Sequence, residues 1–508
     1  MSRINSVTKN LKYAVVGQMM GLLISFISRM VFIRTLGAEY LGLNGLFTNI
    51  LSILSLAELG IGPAMVYSMY KPLAEKNEEK LKALMSLYKK SYTTVGLMIA
   101  IIGTLLTPFL EFFIKDMPEI SNIKIIYLLF VINSAISYFF SYKRSLIIAD
   151  QKRYVATFYR YSFYFVLNIL QIITLLLTRN YFIYLILLII NTILENVFVS
   201  KKADQLYPLL KEKDIIKLDY EEKRSIVRNV KAMMYHKLGT TIVMGTDNLL
   251  ISKFVGLVEV GLYSNYQLIS NSLNMVFGLF FQSLTASIGN LGVLETEEKK
   301  FFTFNVINLA GYWIYAFSSI CLFILFNPFI SLWAGNDYLF SLEVVFLIVL
   351  NFYLTGMRKS VLTYRDALGL FWYDRYKPVF EAILNLAFSI LLVKILGISG
   401  IFLGTTMSTV AVCFWVEPLV LYKYGFKQSV KSYFITYFKF GMIMAFIGFI
   451  TWVLTRLIWS QHLSGFIIKS IICLIVPNVL FVIVFRNSKE FKYLFSIVQK
   501  RLGINGRA

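Results

Sequence analysis

Reactive side chains are scarce in this sequence. There are two histidines, His236 and His462, and three cysteines, Cys321, Cys413 and Cys473. Each cysteine stands alone in an apolar run, with no CxxC, so neither a disulfide framework nor a metal site is expected. Two distant histidines are too few for a metal cluster. A P-loop, a nucleophile elbow and a metal-ligand set are all missing. No polar segment is long enough for a catalytic domain, so no catalytic residue is expected and the chain does not read as an enzyme. Charge is sparse as well, 15% of 508 residues, and it is lopsided: 28 acidic residues against 50 Lys and Arg, for a net +22. The basic residues are scattered through short loops and form no separate domain, which argues against a nucleic-acid partner.

What is present is apolar. Hydrophobic residues make up 57% of the chain and aromatics 16%. Apolar runs of about 20 residues, the length that crosses a bilayer, recur to the end. The ten-residue alternation of a β-barrel strand is absent. The expected fold class is an all-α polytopic membrane protein with about 14 transmembrane helices. Their expected limits are 12–36, 41–70, 87–112, 122–147, 154–178, 181–200, 233–256, 261–290, 302–327, 341–364, 376–396, 398–422, 435–457 and 464–485. The first is expected to be an uncleaved helix, since its apolar stretch is too long for a signal peptide and contains Arg29 and Arg34.

The loops alternate in charge. The N-terminus, 71–90, 143–153, 201–232, 358–377, 423–439 and the tail 486–508 are basic. By contrast 179–181, 327–343 and 397–398 are nearly free of Lys and Arg. This positive-inside bias places both termini in the cytoplasm. Segments 71–85 and 208–232 read as amphipathic surface helices.

A weak internal repeat runs through the chain. FIRTLGAEYLGLNGLFTNI (32–50) aligns with ISKFVGLVEVGLYSNYQLI (251–269), matching Arg34 to Lys253, Gly37 to Gly256 and Gly42 to Gly261. YKRS (142–145) resembles MRKS (357–360), and YRYSFYFVLN (159–168) resembles YKPVFEAILN (376–385). The domains expected from this are a six-helix lobe over 1–200, a linker over 201–232, a six-helix lobe over 233–425, and two added helices with a basic tail over 426–508. Lobes of like orientation, related by an axis along the membrane normal, build transporters that bind substrate between them.

Polar residues inside spans are the candidate site. Ala14, Gly17, Gln18, Gly21, Ser25, Ser28 and Arg29 share one face of span 1. The equivalent face of span 7 carries His236, Gly239, Thr240, Val243, Thr246 and Asp247. Two readings stand for such stripes: close helix packing and the lining of a cavity. Arg29 is expected to face a cavity, because charges within a membrane usually mark a substrate or ion path. A buried pair with Asp247 or Glu58 is the competing reading. Arg34 and Lys253 read as snorkelling anchors. Lys143 and Arg144, and likewise Arg358 and Lys359, are candidates for the cytoplasmic mouth. Asp247 and Glu58 are candidates for H+ or Na+ coupling, with Glu195, Glu381 and Glu417 also acidic in or near spans. Gly60, Gly62 and Pro63 are expected to break span 2 and are a candidate gate.

The motifs RMVFIRTLGAEYLGLNGLF, DNLLISKFVGLVEVGLYSNY, RDALGLFWYDRYKP and LGISGIFLGTTMS together resemble those of the polysaccharide-repeat (lipid-linked oligosaccharide) flippases. These form a branch of the multidrug/oligosaccharidyl-lipid/polysaccharide exporter superfamily. The resemblance spans essentially the whole chain. It implies a MATE-like fold of two six-helix lobes plus helices 13 and 14 in a bacterial inner membrane. It also implies transport of undecaprenyl-diphosphate-linked sugar repeats for capsule or exopolysaccharide assembly. Expected partners are that lipid-linked oligosaccharide, membrane lipids and a polysaccharide polymerase, with no cofactor beyond a coupling ion. Arg29, Lys143, Arg144, Arg358 and Lys359 are the expected substrate-binding residues, since arginine's planar fork suits a diphosphate. The related peptidoglycan-precursor flippases carry an acidic residue beside the first arginine, where this chain has Met30. They remain an alternative, as does a cation-coupled multidrug exporter.

Overall fold

Backbone amides cannot stay unpaired in hydrocarbon, so a chain this apolar must pair them within each segment. The computed structural model describes residues 3–58, 60–211, 218–224, 226–228, 230, 245–458 and 462–501, and no strand occurs among them. Among these residues the main α-helices, all of more than four residues, are α1 (Arg3–Leu36), α2 (Ala38–Leu54), α3 (Ile61–Glu75), α4 (Glu78–Leu106), α5 (Ile123–Ala149), α6 (Arg153–Thr178) and α7 (Tyr181–Leu206). They continue with α8 (Leu257–Leu294), α9 (Glu297–Trp333), α10 (Leu342–Ala367), α11 (Lys377–Leu396), α12 (Ile398–Ser408), α13 (Phe414–Val420), α14 (Lys431–Arg456), α15 (Leu463–Phe485) and α16 (Lys489–Arg501). The chain divides into two compact units, Met1–Gly261 and Leu262–Ala508.

Among the described residues, 11 helices are long and apolar enough to cross a membrane, or 12 counting α5, which bends by 45° between Phe139 and Ser141. Two of the fourteen expected spans remain. The span expected over 41–70 is split into α2 and α3 by a 3-10 turn at Ser55–Glu58. Half of the span expected over 233–256, with His236, Gly239, Thr240 and Val243, lies outside the described residues, as does part of the 201–232 linker. The α5 bend has a local cause. Ser137 Oγ donates to the Ser134 carbonyl and Ser141 Oγ to the Tyr138 carbonyl, side-chain bonds that compete with the helix ladder.

In the first unit, α1 turns its small residues to α6. A Cβ on Gly17 would fall on the Tyr161 ring, and one on Gly21 would touch Tyr161 and Tyr164. Ser25 shares a 2.5 Å hydrogen bond with the Tyr164 hydroxyl. Val15, Met19, Leu23 and Ile27 are exposed on the opposite side, as a lipid-facing stripe should be. Close packing therefore accounts for the upper part of the stripe. Met65, Met69, Leu84, Tyr88, Leu146 and Ala203 form a shared core of α3, α4, α5 and α7.

The repeat leaves a physical trace within this unit. Gly37 (φ 89°) separates α1 from α2, and Gly256 separates a π-helical turn (Ile251–Val255) from α8. The start of α8 then crosses α2 at glycine on both sides. A Cβ on Gly42 would clash with the Leu257 carbonyl, and one on Gly261 with the Ala38 carbonyl. The two contacts are reciprocal under the repeat that pairs Gly42 with Gly261.

In the second unit α9 is the central helix. Tyr312 stacks on Phe440 of α14 with ring centroids 4.1 Å apart. Trp313 Nε1 donates to Asn478 Oδ1 of α15 (2.8 Å). α16 folds back so that Phe491 stacks on Trp313 and Tyr493 meets Phe302.

Gly42→Val should lower thermal stability by about 1–3 kcal/mol, the usual cost of forcing atoms into a filled site. Gly278→Ala has open space at its Cβ. In a helix interior it should be neutral or stabilising by about 0.5–1 kcal/mol. Melting curves of the purified protein in detergent read both.

Candidate functional site

Arg29 lies half-buried on α1, one turn beyond Ser25, beside Tyr184 of α7 and Tyr164 of α6. Around it Phe32, Tyr181, Tyr184 and Tyr40 form a chain of ring contacts. Its position on the polar face follows from the helical spacing of span 1. The aromatic surround does not, because it comes from helices far away in sequence. Arg34 is exposed at the end of α1. Lys253, its repeat partner, lies 4.7 Å from the centre of the Phe112 ring. Asp247, one turn before that π-helical turn, is buried.

Glu58 sits at the break between α2 and α3. Tyr92 Oη donates to its Oε1 (2.7 Å) and Tyr138 Oη to its Oε2 (2.9 Å). Tyr88 Oη donates in turn to Tyr92 Oη (3.0 Å) and shares a hydrogen bond with Ser145 Oγ (3.1 Å). Gly62 makes this cluster possible: a Cβ there would lie 3.0 Å from the Tyr92 hydroxyl and 3.7 Å from Glu58 Oε1. The glycine expected to weaken the helix thus also makes room for a carboxylate held by two hydroxyls. Gly60 caps α3 and Pro63 occupies its first turn, where a missing N–H costs little. No ion pair is recorded for Glu58 among the described residues.

Three of the four residues expected at the cytoplasmic mouth sit in ion pairs. Lys143 Nζ donates to both carboxylate oxygens of Asp204 at 2.7 Å. Arg144 donates to Glu195 (2.5 Å) and Asn196 (3.4 Å). In the second unit Arg358 grips Glu417 with Nε (3.0 Å) and Nη2 (2.7 Å) and reaches Glu381 with Nη1 (3.1 Å). Lys377 also binds Glu417, whose residue is only 1% exposed. Two π-helical turns, Thr409–Cys413 and Leu421–Phe426, flank the short helix that carries Glu417. Lys359 stands beside Arg358 and forms no ion pair among the described residues. The repeat recurs here. Lys143 with Asp204 joins α5 to α7, and Arg358 with Glu417 joins α10 to α13, at equivalent places in the two halves.

Sequence reasoning missed several partners. Tyr92, Tyr138 and Tyr88 look like ordinary apolar-run aromatics until the fold places them on Glu58. Asp204 read as one charge in a basic loop, and Lys377 as one more positive-inside residue. A signal existed for Lys377, which lies three residues after Asp374 and directly before Pro378 at the start of a span. Of the ten charged residues expected to act here or couple ions, the structure brings Arg358, Glu381 and Glu417 together, and Arg144 with Glu195. Arg29, Glu58 and the Lys143–Arg144 pair occupy separate places in the first unit.

Comparison with known proteins supplies the relatives. A family model described as polysaccharide biosynthesis protein matches residues 7–285. No curated protein matches the sequence. Among solved structures, the chain is similar to the lipid II flippase MurJ in an inward closed conformation. That match has 14% identity and a TM-score of 0.70, covering 94% of this chain and 99% of that one. An inward-facing multidrug resistance MATE family transporter of the MOP superfamily matches with 15% identity and a TM-score of 0.62, covering 82% and 99%. A Vibrio cholerae MATE transporter matches with 15% identity and a TM-score of 0.56, covering 84% and 99%. At these identities the likeness is one of fold, and it is the MATE-like all-α fold expected from the sequence.

Removing one carboxylate should separate the two ion-pair sites. Glu417→Gln leaves Arg358 and Lys377 short of a buried counter-charge, and a loss of roughly 3–5 kcal/mol is expected. Asp204→Asn, at a more exposed pair, should cost about 1 kcal/mol or less. Equal melting losses for the two variants would contradict this assignment.

Proposed function

We propose that this chain, which belongs to the polysaccharide biosynthesis protein family, flips lipid-linked glycans across a membrane. Its substrate on this reading is an undecaprenyl-diphosphate-linked polysaccharide repeat, carried from the inner to the outer leaflet for capsule or exopolysaccharide assembly. The membrane is the bacterial inner membrane, with both termini cytoplasmic as the basic loops require. The protein is a transporter rather than an enzyme, and a polysaccharide polymerase would take its product.

The observation that carries this reading is the cationic equipment of the spans. Arg29 lies on the non-lipid face of α1, half-buried beside Tyr184 and Tyr164. A diphosphate offers such a guanidinium bidentate, charge-assisted bonds. Lys143 and Arg144 in the first unit, and Arg358 and Lys359 in the second, are the further substrate cations on this reading. Three of these hold carboxylates, so an arriving diphosphate exchanges with Asp204, Glu195 or Glu417, and the cation stays paired throughout. That exchange avoids leaving a buried charge uncompensated, the costliest state available. The isoprenoid tail stays in lipid. A multidrug exporter for cationic compounds would call for an acidic pocket instead.

Coupling falls to Asp247 and Glu58. Glu58 is held by hydroxyl groups, so a proton or Na+ displaces hydrogen bonds there and no fixed cation. Glu417, bridging Arg358 and Lys377, is the less suitable carrier. Gly60, Gly62 and Pro63 place a helix break beside Glu58, where occupancy of the carboxylate can alter the packing of α3.

Depleting the protein in its own cells should raise the pool of diphosphate-linked polysaccharide repeats while peptidoglycan precursors stay normal. Accumulated peptidoglycan precursors would point to the other flippase class. Arg29→Ala should abolish export with the protein still inserted, and Arg29→Lys should keep part of it. Full export by Arg29→Ala would remove that residue from the site. Glu58→Gln and Asp247→Asn should flatten the dependence of transport on pH or Na+, and an unchanged profile in both variants would end their coupling role.

A further inference from the structure

Apart from Lys377, the motif RDALGLFWYDRYKP has no part in the proposed transport, yet its structure is well defined. Arg365 pairs with Asp366 (2.7 Å) and with Asp374 (2.5 Å) across the turn. Gly369 takes the left-handed conformation (φ 71°) that lets the chain reverse. Leu368 and Leu370 pack on Gly425, and Tyr373 stacks on Tyr424 with ring centroids 3.8 Å apart. The segment is thereby fastened to the π-helical turn at Leu421–Phe426.

This fastening presents an aromatic and basic rim. Trp372 is 65% exposed and Tyr376 62% exposed. The Arg375 guanidinium lies between them, 4.1 Å and 4.6 Å from the two ring centroids, with Nη1 donating to the Trp372 carbonyl (3.0 Å). Lys423 lies 5.2 Å from the Tyr424 ring. Neither Arg375 nor Lys423 has a carboxylate in ion-pair range among the described residues. Both cations are thus oriented by rings, with remaining donors unused by acidic groups. The chemistry that answers them is a phosphate.

The surroundings choose its source. Directly beyond Pro378, α11 exposes Val379, Phe380 and Ile383 in a row, an apolar face that belongs against lipid. Tyrosine and tryptophan at such a border favour the head-group layer. The loop also lies on the basic side of the membrane, which faces anionic lipid.

We propose that the Trp372–Arg375–Tyr376 rim, with Lys423, is a binding site for an anionic phospholipid head group at the cytoplasmic leaflet. The lipid phosphate sits on the Arg375 edge, its acyl chains run down the exposed face of α11, and the site holds the α10–α11 turn at the interface.

The test uses the full chain in phosphatidylcholine nanodiscs containing graded phosphatidylglycerol, with lipid retained after extraction counted by native mass spectrometry. The wild type should retain phosphatidylglycerol selectively. Arg375→Ala and Lys423→Ala should each weaken retention about fivefold, the factor that corresponds to ~1 kcal/mol per basic residue at an anionic surface. Arg375→Lys should recover part of the loss. Lys71→Ala, at an exposed side chain in the first unit, should change nothing. Wild-type retention by the Arg375→Ala/Lys423→Ala double variant would overturn the site. So would an equal loss in Lys71→Ala, which would mean diffuse attraction only. Undecaprenyl diphosphate added alone is the second arm. If it displaces phosphatidylglycerol from the wild type and this competition vanishes in Arg375→Ala, the rim belongs to the transported lipid and the phospholipid assignment fails. Circular dichroism and melting curves check that each variant is folded.

Discussion

A charge placed among membrane helices must find its counter-charge or hydrogen-bond partners inside the protein. The Arg358–Glu417–Lys377 cluster shows the consequence most fully. One carboxylate is held by two cations, a second carboxylate, Glu381, shares the arginine, and residues from α10, α11 and α13 are tied at one point. The three helices could not be repacked one at a time without stranding a charge. The lysine and arginine of α5 do the same in the first unit by reaching to α7. Ion pairs of this kind are weak evidence of net stability, because desolvation offsets much of the attraction. They do restrict which helices can be neighbours.

On the proposed function the same constraint bears on transport. A diphosphate needs available cations, yet cations left unpaired in the membrane would destabilise the empty protein. On that reading, carboxylates that hold the cations until substrate arrives reconcile the two requirements. Glu58 follows a different logic. Its partners are the hydroxyls of Tyr92 and Tyr138, groups that can be given up to a proton or a small cation without exposing a fixed charge.

Glycine marks where backbone, rather than side chain, sets the contact. At Gly42 and Gly261 carbonyl oxygens occupy the space a side chain would need. Two positions that match in the repeat each press on the residue that opens the other's helix. An internal duplication too diverged to be convincing from single anchors therefore becomes visible as a reciprocal contact and as a recurring ion pair.

Much of the architecture was legible beforehand. Helical class and membrane crossing follow from apolar runs of bilayer length, because hydrocarbon forbids an unpaired backbone. The polar face of α1, the break after Glu58 and the repeat anchors were likewise readable, since they depend on local spacing or on glycine and proline. The continuity of spans was harder to read. Seventeen residues of α2 and fifteen of α3 look like one apolar run broken at Gly60–Pro63, and only the packed structure shows the 3-10 turn at Ser55–Glu58 ahead of that break. Which side chains meet was decided by tertiary structure alone. Nothing in the spacing of Glu58, Tyr92 and Tyr138 pairs them, and nothing near Arg358 announces Glu417, 59 residues away. A sequence records what each segment needs in order to cross a membrane, a property of the segment and its solvent. The partner that satisfies a buried charge comes from whichever helix packs beside it, and that choice belongs to the whole fold.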